Sequence, residues 1–116
     1  ASAATLAADV AAAAGEVAGA GIRAAIVHGD LAHGNLLEGT RLWLLDWEYA
    51  QIADPVYDAA CLLAYYPQAR PQAARLLDAA GLAGHGLAGR LAAALRVYAG
   101  LSRLWHLARG EPVPGY

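Results

Sequence analysis

His28-Gly29-Asp30-Leu31-Ala32-His33-Gly34-Asn35, with Leu44-Leu45-Asp46-Trp47-Glu48 shortly after it, is the stretch of this chain that decides the fold. Residues 24–27 just before it are short, apolar and partly β-branched, which suits a buried strand running into His28. Leu36 and Leu37 lead into Glu38-Gly39-Thr40, a turn signal, and residues 41–45 resume the apolar pattern. The simplest arrangement is a small β-hairpin whose two ends face the same way. Residues 28–35 precede its first strand and Asp46 follows its second, so the hairpin draws two polar segments together.

On either side the sequence predicts helix. Residues 5–18 are dominated by Ala, the best helix former, and Gly19 and Gly21 close them as a C-terminal stop. After Asp46 the pattern is irregular until Pro55, which fits a first helical turn capped by Asp54. Val56, Ala59, Ala60, Leu63 and Ala64 then form an apolar stripe at helical spacing that ends before Pro67. Residues 71–80 predict a further helix stopped by Gly81, and residues 87–107 a long one ended by Gly110. The expected fold class is α+β and mostly helical, with one small hairpin carrying the polar loop.

The chain has 116 residues, 59% of them hydrophobic, and a net charge of -2. That length predicts a single domain over residues 1–116, large enough to bury a core without staples. Cys61 is the lone cysteine and reads as a small buried hydrophobe. All eight basic residues are Arg and they are scattered, which argues against nucleic acid as a partner. No apolar run has transmembrane length, and the Ala-rich start lacks the basic segment of a signal peptide, so no membrane role and a cytoplasmic location are expected. The high apolar content suggests exposed patches through which the chain could self-associate.

Asp30, Asn35 and Asp46 each suit one task in transferring a phosphoryl group to a hydroxyl. A carboxylate on a rigid turn can orient the hydroxyl and take its proton. An amide oxygen and a second carboxylate can hold a hard cation such as Mg²⁺, which takes oxygen ligands and few of them from protein. His, then Asp two residues later, then Asn five after that, is the spacing of a kinase catalytic loop. Turn chemistry alone also favours Asp and Asn in loops, but it does not demand this spacing.

His28 to Asn35, the Asp46-Trp47-Glu48 run and Asp54-Pro55-x-x-Asp58 together resemble the aminoglycoside phosphotransferase and choline kinase family, whose members share a protein-kinase-like fold. The resemblance implies that Asp30 is the catalytic base, that Asn35 and Asp46 are magnesium ligands, that His28 supports the loop and that Asp58 anchors it by hydrogen bonds. It also implies ATP as co-substrate and a small-molecule hydroxyl acceptor, with Asp46-Trp47-Glu48-Tyr49 closest to the choline, ethanolamine and thiamine kinase branch. For a cationic acceptor, Glu48 offers a carboxylate, and Trp105 resembles an aromatic position of the choline pocket, although this chain has Ser102 where that pocket has a neighbouring aromatic and Tyr65 near the place of a family acid. A kinase of this fold further needs a nucleotide lobe with a strand Lys. This chain contains neither Lys nor Met, so the expectation is a catalytic C-terminal lobe whose N-terminal lobe is absent, inactive alone. The alternative expectation is a non-catalytic module, a pseudokinase or self-associating helical unit; a hydrolase using the same metal site is a weaker one.

Overall fold

The computed structural model describes residues 2–82, 84 and 86–112, and of His33 its backbone. The element order is α1 (Ala3–Ala18), β1 (Ala25–Val27), a 3₁₀ turn (His33–Asn35), β2 (Leu36–Glu38), β3 (Leu42–Leu44), β4 (Gln51–Ala53), α2 (Val56–Tyr65), a 3₁₀ segment (Pro67–Gln72), α3 (Ala73–Ala79) and α4 (Leu87–Ala108). The class is α+β and mostly helical, as the residue pattern predicts.

Each helix has a local cause. Ser2 caps α1, its hydroxyl accepting from Thr5 N at 3.1 Å. Asp54 serves α2 in the same way from just outside it, with Oδ1 accepting from Val56 N at 2.9 Å. The core forms where α1 and α2 pack on α4. Val17, Val56, Ala60, Ala93 and Ala94 meet there, and a second cluster of Ala59, Leu77 and Leu82 joins it through Leu87 and Leu91. Small residues let α4 approach closely: a Cβ on Gly100 would lie 2.3 Å from Val10 Cγ2 of α1.

Three expectations need correction. The segment after Asp46 is not irregular up to Pro55, because residues 51–53 form β4, antiparallel to β1 with Ile26 opposite Ile52. The described residues therefore form two two-stranded sheets and not one hairpin alone, the second being β2–β3 with Leu37 opposite Trp43. A three-residue strand pairing across some two dozen residues leaves too little pattern to read locally. Nor is β1 buried: Val27 is, while Ile26 is 71% exposed. Finally, of the helix expected over residues 71–80, Pro71 and Gln72 belong to the 3₁₀ segment, and the α-helix runs from Ala73 to Ala79. His85 and residues 113–116 lie outside the described residues.

Candidate active site

The polar loop between β1 and β2 is gripped from α2. Asp58, in the first turn of that helix, accepts from His28 N through Oδ2 at 2.8 Å and from Gly29 N through Oδ1 at 2.9 Å. Its carboxylate also lies near the positive end of the helix dipole, which favours its charge. Two N–H groups of consecutive residues are thus fixed before the loop turns.

His28 is 1% exposed and uses both ring nitrogens. Nε2 lies 2.7 Å from the Leu45 carbonyl, which can only accept, so Nε2 carries the hydrogen; Nδ1 accepts from Asp30 N at 3.1 Å. Trp47 packs edge-on against the ring at 4.6 Å between centroids, held by its own Nε1 donating to the Leu44 carbonyl at 2.9 Å. One imidazole therefore joins the backbone of Asp30 to the residue preceding Asp46.

Asn35 completes the junction. Its Nδ2 donates to the Asp30 carbonyl at 2.8 Å and to Asp30 Oδ2 at 3.0 Å, while its own carbonyl accepts from Leu45 N at 2.8 Å. The structure thus brings Asp30, Asn35 and the start of the Asp46 turn together at the base of the β2–β3 hairpin. Asp46 itself has φ 58°, a left-handed conformation that Asp tolerates better than most residues. Gly29 has φ 89°, and any side chain there would place Cβ 2.7 Å from the Tyr49 carbonyl oxygen. Gly29 takes its conformation without strain because it has no Cβ, so Asp46 is the non-glycine residue held at positive φ among the described residues.

The donor set fits a hard divalent cation. The amide of Asn35 commits its N–H₂ end to Asp30, which turns its oxygen away from that carboxylate, and Asp46 adds exposed carboxylate oxygens. The ion pairs among the described residues, Arg90–Asp54, Arg96–Glu16 and Arg109–Glu111, involve none of these groups. No group of three or more His, Cys, Asp and Glu side chains is placed to hold a metal among the described residues. Mg²⁺ does not require one, because it commonly takes one or two protein carboxylates and fills its shell with water and phosphate oxygens.

Beside the loop lies a cleft of about 490 Å³, lined by Gly29, Glu48, Tyr49, Tyr57, Tyr98 and Leu101 among others. Glu48 is exposed and supplies the one carboxylate of that lining. Tyr57 and Tyr98 meet edge to face at 6.3 Å, and Tyr98 Oη donates to the Gly29 carbonyl at 3.4 Å. Burial pushes the Tyr98 phenol far above its ordinary value of 10.0, with the charges of Cys61 and Asp58 adding to the effect. The Cys61 thiol, fully buried under the loop, is pushed up to about 12, first by burial. Trp105 does not line the cleft; it is 54% exposed and the Arg109 guanidinium stands 4.5 Å over its ring.

Sequence reasoning passed over Arg90. It is 6% exposed on α4 and gives Asp54 a two-pronged contact, Nε to Oδ2 at 3.0 Å and Nη2 to Oδ1 at 2.8 Å. The signal was present, since Arg90 falls on the stripe of Ala93, Ala94 and Val97, and an Arg on a buried stripe must have a partner. Burial alone raises the Asp54 carboxyl, but the hydrogen bonds from Arg90 and Val56 and the Arg90 charge outweigh it and hold the group below 3.8.

A polar loop on a hairpin, anchored by a helical carboxylate and packed on a helical bundle, is the arrangement of a kinase-like fold. The profile of the phosphotransferase enzyme family matches residues 2–101, and the chain belongs to that family. Its fold is similar to that of choline kinase LicA from Streptococcus pneumoniae, with TM-score 0.70 and 21% identity over 97% of this chain. LicA in complex with AMP gives TM-score 0.71 and 22% identity, again over 97% of this chain. In both cases the chain spans 41% of the other's length. No curated protein matches the chain in sequence. Among the described residues no helix is long and apolar enough to cross a membrane.

Proposed function

We propose that this chain is the catalytic lobe of an ATP- and Mg²⁺-dependent small-molecule kinase of the choline, ethanolamine and thiamine kinase type, transferring the γ-phosphoryl group to a hydroxyl of an amino-alcohol or aminoglycoside-like acceptor. The observation that carries this reading is Asp30 held at both backbone and side chain by Asn35, on a loop pinned by Asp58. Asp30 Oδ2 is fixed by the Asn35 amide, which leaves Oδ1 to accept the acceptor's hydroxyl proton. His28 keeps that carboxylate in register with the Asp46 turn. Asn35 and Asp46 are the residues that would hold magnesium, whose charge, when bound, neutralises phosphate oxygens. Because such transfer is loose, orienting the hydroxyl and balancing charge account for most of the acceleration.

The acceptor fits the cleft beside Gly29. Glu48 would pair with a cationic amine there, while Tyr49, Tyr57 and Tyr98 offer ring faces and edges. Trp105 can serve a cation only if Arg109 leaves its ring. The nucleotide would be gripped by a further lobe bearing the Lys this chain lacks, seated against the exposed apolar residues Ile26, Leu42, Trp43 and Ile52 of the two sheets. Without that lobe the chain is expected to be catalytically silent. Those same residues favour the second reading, a non-catalytic module that self-associates; sedimentation of the chain as a clean monomer would count against it.

In a kinase containing this lobe, Asp30→Ala should lower the rate of transfer by about 10²–10⁴-fold while leaving ATP affinity within a few fold, measured by acceptor-dependent ADP formation and nucleotide titration. Retained turnover would remove Asp30 from the role of base. A panel of choline, ethanolamine, thiamine and aminoglycosides, run on the same protein, identifies the acceptor.

A further inference from the structure

Asp30 is joined to its neighbours by two rigid peptide planes, Gly29–Asp30 and Asp30–Leu31, and the direction of its carboxylate follows both. The first plane is the harder to fix. Gly29, at φ 89°, has no Cβ to limit rotation, so the plane that follows it is free to turn unless something outside holds it. Hydrogen bonds at its two ends supply that restraint: Asp30 N donates to His28 Nδ1 at 3.1 Å, and the Gly29 carbonyl accepts from Tyr98 Oη at 3.4 Å.

Tyr98 comes from α4 and reaches the second plane as well. Its hydroxyl is hydrogen-bonded to the Cys61 thiol of α2, and Leu31 N reaches the same sulfur from the loop. The directions follow from the groups. A carbonyl only accepts, so the Tyr98 hydrogen points at Gly29; the phenol oxygen then takes the thiol hydrogen, and the sulfur takes that of Leu31 N. Leu31, Cys61, Tyr98 and Gly29 thus close a chain of hydrogen bonds beneath Asp30. Burial, before any other cause, holds the phenol far above 10.0 and the thiol at about 12, so both hydrogens stay in place near neutral pH. The 3.4 Å contact is long for an O–H···O bond, ordinarily about 2.8 Å, so its loss should loosen the loop and not the fold. The Tyr98 ring, meanwhile, lines the cleft that contains Glu48.

We propose that Tyr98 is a positioning residue for phosphoryl transfer: its hydroxyl, through the Gly29 carbonyl and the Cys61 thiol, holds the two peptides that flank Asp30, while its ring walls the space beside them. This rests on Asp30 being the base. Cys61 is then more than a small buried hydrophobe, since its sulfur carries the link from Tyr98 to Leu31.

The test is amide hydrogen exchange, followed by NMR in the full chain. Tyr98→Phe keeps the ring and removes the hydroxyl; it should speed exchange at Asp30 and Leu31 by about tenfold, with the buried Ala13 of α1 and Ala94 of α4 within about twofold of wild type. Cys61→Ala should speed exchange at Leu31 and leave Asp30 protected. Equal acceleration at all four amides would mean that the hydroxyl merely stabilises the fold, and unchanged exchange at Asp30 would mean that it does not hold the peptide; either result overturns the proposal. In a kinase containing this lobe, Tyr98→Phe should lower kcat by roughly 10- to 100-fold with the acceptor KM within about threefold. A raised KM at unchanged kcat would make Tyr98 a wall of the cleft only and overturn its positioning role. The reading of Asp30 as base fails separately, on retained turnover in Asp30→Ala, which the exchange rates do not touch.

Discussion

At the scale of single residues, the loop is specified by groups that have no neutral replacement. Asp58 accepts from two backbone N–H groups, and an amide in its place can accept only one and turns its own N–H₂ against the other. Asp58→Asn should therefore cost about 1–3 kcal/mol, the penalty of an unsatisfied buried group, read from urea unfolding. Gly29 is constrained twice, by φ 89° and by the Tyr49 carbonyl 2.7 Å from where a Cβ would stand. The left-handed strain alone is worth roughly 1–2 kcal/mol, so Gly29→Ala should lose about 2 kcal/mol or more and displace Tyr49 from the cleft. If Gly29→Ala unfolds at wild-type urea concentration, the backbone is not confined as described.

At the scale of elements, α4 organises the molecule through two contacts of different kinds. The Arg90–Asp54 pair joins it to the start of α2, the helix that bears Asp58, with both side chains under 10% exposed. Removing one partner strands a buried charge, so Arg90→Leu should destabilise by about 3–5 kcal/mol, whereas Arg90→Leu combined with Asp54→Asn should recover much of that. The pair also sets an acid limit. Because the Asp54 carboxyl is held below 3.8 in the fold, its contribution is present above that value and lost as pH falls through the lower folded one. Acid titration of stability should show this loss in the wild type, and the double variant should lack it. At the α1–α4 crossing, Gly100→Ala would drive a methyl into Val10, a Cγ2 that would be 2.3 Å away. Overpacking of about 1–3 kcal/mol there exceeds the ~1 kcal/mol gained in helix propensity, and Val10→Ala should relieve it in a double-mutant cycle.

For the whole molecule, the polar loop rests on a buried floor and lies beside exposed apolar residues of the two sheets. Cys61 belongs to the floor: it is fully buried and its thiol is raised to about 12, above its ordinary 9.0. It should resist iodoacetamide at pH 8 in the folded chain and react once urea unfolds it, with the labelling midpoint tracking the loss of tryptophan fluorescence. Early labelling would mean that the loop opens separately from the core. In those sheets Ile26 at 71% and Ile52 at 67% exposure stand opposite each other in the β1–β4 pairing.

The polar loop, the β2–β3 hairpin and the described helices, apart from the start of α3, were legible in the residues, because spacing, turn chemistry and capping act over a few positions. Asp30, Asn35 and Asp46 could be picked out in that way, and so could the anchoring carboxylate once a resemblance supplied its role. The β1–β4 pairing could not, since two strands of three residues each carry too little pattern to find one another by inspection. Nor could the pairing of Arg90 with Asp54, 36 residues apart, or the reach of Tyr98 to the Gly29 carbonyl, 69 residues apart. Local chemistry determined which groups carry the site. Only packing decided what surrounds them, because burial and charge depend on segments that meet solely in the folded chain.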